Sequence, residues 1–165
     1  MNVAISVTAL SVSIVTVVFV IWSWRAVNRP FVIARVVTAK SGNMATALNL
    51  LIENTGKRPA RNITFTCTAS KLEDAMSPMC RNAFADDVHK VFDSGTTIPI
   101  LDSGTSTSCA FGMFSIQGDS TWVTDAQLPV LIKYQGLGRR RFSQEITLIL
   151  RDDQSFTGES WAHNG

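Results

Sequence analysis

The chain has 165 residues, 45% of them apolar, three cysteines and a formal net charge of +2. Beyond an apolar first stretch about 140 residues remain, enough for one hydrophobic core and too few for two. So small a positive excess argues against a nucleic-acid partner, and three cysteines without a CxxC pair form no disulfide framework, fitting a reducing compartment at least as well as an oxidising one.

Met1 to Trp24 carries no charged side chain, and the first charges after it are Arg25 and Arg29. About 22 apolar or small residues at roughly 1.5 Å each span about 33 Å, the depth of a bilayer's hydrocarbon core. The pattern predicts a transmembrane helix over residues 1–25 and a juxtamembrane linker over 26–30. No Lys or Arg precedes the apolar run, and it ends in the bulky Trp22 and Trp24. Both features favour a retained span with an interfacial aromatic belt over a cleavable signal. Positive charge on the carboxyl side alone places the amino terminus outside and the domain in the cytoplasm; the alternative has the domain on the periplasmic or extracellular side. Ser6, Thr8, Ser11, Ser13 and Thr16 are expected to bond their own helix backbone. No GxxxG marks a helix-dimer face.

Asn28, Arg29 and Pro30 end the helix, because proline lacks a donor and restricts the residue before it. Phe31 to Ala39 is β-branched and reads as a strand, closed by a turn at Ser41, Gly42 and Asn43. Thr46 to Asn54 follows as a strand buried on at least one face. A tight turn then runs from Asn54 to Pro59, where Gly56 is read as supplying positive φ. From Arg61 to Ala69 the residues alternate, Ile63, Phe65 and Cys67 against Asn62, Thr64, Thr66 and Thr68, the plainest strand period in the chain. Ser70 to Asp87 is irregular and reads as a loop crossing between sheets with at most a helical turn, followed by a short strand at Val88 to Phe92. Strands are then expected at Thr96 to Leu101 and Ser106 to Ile116. A hairpin of Pro129 to Tyr134 and Arg141 to Leu150 follows, its loop carrying Arg139, Arg140 and Arg141. Residues 152–165 are polar and read as a flexible tail.

Seven or eight strands, with no amphipathic helical period after the anchor, define an all-β class. Over residues 31–151 this predicts an immunoglobulin-like antiparallel β-sandwich behind one N-terminal transmembrane helix, with a small barrel as the alternative. The stretch Leu48 to Ile63 (LNLLIENTGKRPARNI) resembles the second and third strands of bacterial CARDB-type immunoglobulin-like modules, with their apolar strand, Asn-x-Gly turn and returning strand. Ile98 to Ser106 (IPILDSGTS) is similar to a later turn of those modules, which usually place proline before the glycine. The resemblance implies a module that binds or spaces and transfers no catalytic residue.

Three constellations invite chemistry. Ile100 to Ser106 is similar to the aspartic-protease signature around Asp102. That reaction needs two carboxylates sharing a proton about 3 Å apart. A second copy at Asp93, Ser94 and Gly95 lies too near in sequence for an equivalent lobe, so Asp102 would have to act in a dimer. Leu148 to Asp152 comes close to the later segment such a dimer wants but lacks its glycine. The ordinary reading of Asp102, Ser103 and Gly104 is a turn. Cys67, Cys80, Cys109 and His89 show no ligand spacing, so no metal or cofactor is expected; Cys67 and Cys109 read as small hydrophobes on strand faces. Arg139, Arg140 and Arg141 are candidates to touch anionic lipid or an acidic partner, together with Arg25 and Arg29 beside the span. Asn62 to Thr64 matches a glycosylation sequon within a predicted strand. Trp122 reads as core and Trp161 as a docking residue in the tail.

The function these features lead to expect is a single-pass, non-enzymatic module for protein interaction or scaffolding at the membrane surface. The alternatives are a membrane-tethered dimeric peptidase using Asp102 and a lipid-reading module using Arg139 to Arg141. The expected partners are the bilayer and a protein; self-association is possible, and no nucleic acid is expected.

Overall fold

The computed structural model describes residues 2–151 apart from 43, 84 and 94; the side chains of 2–6, 8, 9, 82, 83 and 137 are not described either. The expected flexible tail, Trp161, His163, the tip of the first turn at Asn43 and Ser94 of the second Asp-Ser-Gly run lie outside the described residues.

Helix α1 spans Asn2–Val27, 26 residues and about 39 Å of rise. It therefore runs two residues beyond the expected span, and its last turn takes up the start of the expected linker. Its apolar side chains surround the axis, as in a helix meant for lipid rather than for one apolar surface. It is long and apolar enough to cross a membrane, and none of Leu10–Val27 is buried against the rest of the chain. Ser11 Oγ donates to the Val7 carbonyl at 2.9 Å and Thr16 Oγ1 to the Val12 carbonyl at 2.8 Å, so these hydroxyls are satisfied within the helix.

Among the described residues seven strands follow, in two antiparallel sheets. The first is β1 (Val32–Ser41), β2 (Ala45–Asn54) and β5 (Ser106–Ser115), in the order β1-β2-β5. The second is β4 (Ile98–Leu101), β3 (Ala60–Cys67), β6 (Ala126–Gln135) and β7 (Arg141–Leu150), in the order β4-β3-β6-β7. Alternation decides the faces. On β2, Leu48, Leu50, Ile52 and Asn54 are buried; on β6, Leu128, Val130, Ile132 and Tyr134 are. The apolar members of these sets join Val32, Val36, Ile63, Phe65, Leu148 and Leu150 in one hydrophobic cluster shared by both sheets. Burying a side chain of this size contributes about 1.5–3 kcal/mol.

Between β3 and β4 the structure corrects the sequence reading. Three short helices, α2 (Ala69–Ala75), α3 (Pro78–Ala83) and α4 (Ala85–Phe92), replace the expected loop and the expected strand at Val88 to Phe92. Ser77 caps α3: its Oγ accepts the Cys80 N–H at 3.2 Å, and Pro78 occupies the first helical position, where its missing donor costs nothing. In α4, Asp86 and Asp87 sit in the first turn and His89 and Lys90 in the last, matching the helix dipole at both ends. Val88, Val91 and Phe92 then fall on one face at helical spacing and pack on the core. Phe92 meets Phe111 edge-on at 6.0 Å, and Phe111 stacks on Trp122 at 4.7 Å. Trp122 is 1% exposed, the core residue expected of it, and its indole N–H donates to the Phe111 carbonyl.

Candidate functional site

Where the helix leaves for the sheets, the backbone is tied down on both sides. The Lys57 N–H donates to the Arg29 carbonyl at 3.2 Å and the Thr55 N–H to the Phe31 carbonyl at 2.9 Å, so the β2–β3 turn lies along residues 29–31. Gly56 makes that approach possible. A Cβ there would sit 2.3 Å from the Phe31 nitrogen and 2.5 Å from the Arg29 oxygen, both fixed backbone atoms. Gly56 has no positive φ, so its glycine serves proximity rather than the turn conformation expected of it.

Asn54 is the hub of this joint and is fully buried. Its Oδ1 accepts the Phe31 N–H at 3.2 Å and the Gly56 N–H at 3.1 Å. Its Nδ2 donates to the Arg58 carbonyl at 2.7 Å and to the Leu101 carbonyl at 3.0 Å. Two donors and two lone pairs are thus all used. One amide links the strand that follows the helix, the β2–β3 turn and the end of β4, and with them the two sheets.

The Asp102 run is part of the same joint. The Gly104 N–H donates to the Asn54 carbonyl, the Asn54 N–H to the Thr105 carbonyl, and Ser103 Oγ to the Gly56 carbonyl at 2.7 Å. Gly104 has φ 71°, the left-handed conformation that favours glycine at a turn. Asp102 itself is exposed, and its main-chain oxygen receives Thr105 Oγ1 at 2.9 Å. Asp93 also sits in a turn, its carboxylate accepting the Gly95 N–H. Among the described residues no group of three or more His, Cys, Asp or Glu is placed to hold a metal. Cys67, Cys80 and Cys109 are free thiols. Cys80 is buried and Cys67 half-buried, and burial pushes both thiols above their usual range, a hydrogen bond to Thr68 partly opposing it at Cys67. Cys109 on the edge strand β5 is exposed at the rim, yet it pairs with buried Leu50 and lines an apolar cavity with Ile52, Phe65 and Val91, and burial pushes its thiol up as well.

Around the joint the arginines converge. A cavity of about 390 Å³ is lined by Arg25, Arg29, Arg58 and Arg140, with Trp24 and Phe142 as its aromatic walls. A second, of about 420 Å³, shares Arg25, Arg29, Arg140 and Phe142 and continues down α1 along Val18, Ile21 and Trp22. The Arg58 guanidinium lies over the Trp24 ring at 4.8 Å and that of Arg140 over the Phe142 ring at 5.5 Å, both cation–π arrangements. Phe142 is in turn stacked on Tyr134 at 5.5 Å. Among the described residues no acidic side chain lines either cavity and none of these four arginines pairs with a carboxylate.

Of the five arginines singled out in the sequence, the structure gathers Arg25, Arg29 and Arg140. Arg139 lines neither cavity, and Arg141 faces a separate groove beside Lys133 and Asn62. Arg58 was not singled out; its only local signal was a place in the Lys57–Arg58 pair after Gly56, and its partnership with Trp24 is tertiary. A family model described as Domain of unknown function (DUF8453) matches residues 3–153. No curated protein and no solved structure matches the chain.

Proposed function

The chain belongs to the DUF8453 family, and we propose that it is a single-pass membrane protein presenting a non-enzymatic, immunoglobulin-like β-sandwich for protein interaction or scaffolding at the membrane surface. The observation that carries this reading is the joint at Asn54 and Gly56, which fastens the residues directly after an apolar helix to both sheets. A tether meant only to keep a domain nearby needs no such fastening; a module displayed in one pose does. The strand order supports the sandwich, three strands against four, with β4 beside β3. In the constant-type immunoglobulin layout the fourth strand instead joins the sheet of the first, second and fifth, so this would be a switched variant. The joint also gives the Asn-x-Gly of the CARDB-like stretch a structural task, which favours that resemblance.

In this reading the amino terminus lies outside and the domain in the cytoplasm, with Trp22, Trp24, Arg25 and Arg29 at the inner interface. Protease protection on sealed cells and inverted vesicles tests it. The domain is expected to be shielded in intact cells and cut in inverted vesicles; cutting in intact cells would reverse the orientation and move adhesion or envelope scaffolding to the front. In-membrane crosslinking that captures no protein, alongside peptide cleavage lost in Asp102→Ala, would replace the scaffold by the peptidase.

A further inference from the structure

We propose that the arginine cavity at the joint is a binding site for an anionic phospholipid of the leaflet next to the domain, its phosphate held by Arg58 and Arg140 with Arg25 and Arg29. The inference rests on the reading of α1 as a membrane span. Four unpaired guanidiniums around about 390 Å³ form a concentrated positive site in which an anion satisfies charges that no described carboxylate meets. Planar guanidiniums suit phosphate oxygens, which they can engage with two parallel N–H bonds. Stacking on Trp24 and Phe142 holds Arg58 and Arg140 in place, reducing the side-chain entropy lost on binding.

The second cavity decides which phosphate. It shares three of the arginines and runs down the helix to Ile21 and Val18. Val18 lies seven residues before Arg25, about 10 Å along the axis. The site is therefore cationic at the interface and apolar toward the hydrocarbon, the polarity profile of a phospholipid and not of a soluble phosphate ester. Basic pockets beside membrane helices are a general means of holding lipid head groups.

The test uses the full chain in vesicles of phosphatidylcholine alone or mixed with phosphatidylglycerol, followed after mild detergent extraction by native mass spectrometry of retained lipid. The intact chain is expected to retain phosphatidylglycerol in preference to phosphatidylcholine. Arg58→Gln with Arg140→Gln, which removes two charge-assisted contacts to the phosphate, should weaken retention about thirtyfold. Arg139→Gln with Arg141→Gln removes equal charge outside the cavity, where solvent and salt screen it, and should change retention less than about threefold. Arg58→Lys with Arg140→Lys, which returns the charge without the planar fork, should recover only part of the loss, and unchanged thermal unfolding of the Gln pair separates missing contacts from a damaged fold. Equal losses from the two Gln pairs would overturn the site in favour of diffuse attraction, and no effect of either pair would overturn the site and the diffuse attraction together. Competition by inorganic phosphate as effective as that by lipid would overturn the lipid assignment. Failure of the chain to float with neutral vesicles would instead refute the span itself, a result distinct from these.

Discussion

Replacing Asn54 with alanine removes four hydrogen bonds at once, those to the Phe31 and Gly56 amides and the Arg58 and Leu101 carbonyls. A typical intramolecular hydrogen bond contributes about 1 kcal/mol net, which gives about 4 kcal/mol here, and buried groups left unpaired raise the cost further. Domains of this size are stable by about 5–15 kcal/mol, so the loss would be a large share of the total. The measurement is a urea titration of the full chain in detergent micelles, followed by its strand circular dichroism. With a slope near 2 kcal/mol per molar, the midpoint should fall by about 2 M. A control, Asn54→Asp, keeps the shape but turns acceptor oxygens toward the Arg58 and Leu101 carbonyls. It should therefore lower the midpoint as well, although it leaves no cavity. A midpoint shift under about 0.5 M for Asn54→Ala would show that water replaces the amide at little cost, and the joint would lose its central role.

Gly56→Ala should destabilise by about 3 kcal/mol or more, because its methyl would overlap the Phe31 nitrogen and the Arg29 oxygen; wild-type thermal stability of that variant would refute the close approach. Trp122→Ala should cost about 3–5 kcal/mol in the same urea titration, and Trp122→Phe about 1–2 kcal/mol for the unpaired Phe111 carbonyl. Alkylation of the native chain at neutral pH should modify Cys109 first and buried Cys80 last, read by peptide mass spectrometry. Because Cys67, Cys80 and Cys109 have raised folded pKa values, their contribution to stability is complete below the ordinary thiol pKa. It falls as the pH rises above about 8.5, since the unfolded chain ionises first, and alkaline urea titrations should show that decline.

What could be read from the chain alone follows the range of the forces involved. The strand at Arg61 to Ala69 and the final hairpin announced themselves because alternation is local and one face is buried. Helix α4 escaped because Val88, Val91 and Phe92, taken with their neighbours, look like a brief β-branched run. The flanking Asp86, Asp87, His89 and Lys90 were the usable signal for a helix, as were Ser77 and Pro78 for α3. At the candidate site, Arg25 and Arg29 were legible from their place after the span. Arg58 was not, because its distance from Trp24 depends on Gly56 letting two backbone segments touch, a contact between positions far apart in sequence. Arg139, Arg140 and Arg141 looked equivalent as a run, and only the loop's conformation separates Arg140, turned onto Phe142, from its neighbours.

The fastening of residues 29–31 by Asn54, Thr55 and Lys57 has a mechanical corollary. If α1 spans a bilayer as proposed, the ties on residues 29–31 would make the domain turn with the helix about a fulcrum at the bilayer surface. Membrane helices meet a change in bilayer thickness by tilting. A tilt of about 10° would sweep a point about 33 Å from the fulcrum, the length of a ten-residue strand, through about 6 Å. Bilayer thickness would thereby set the angle at which the domain's far end meets whatever it touches.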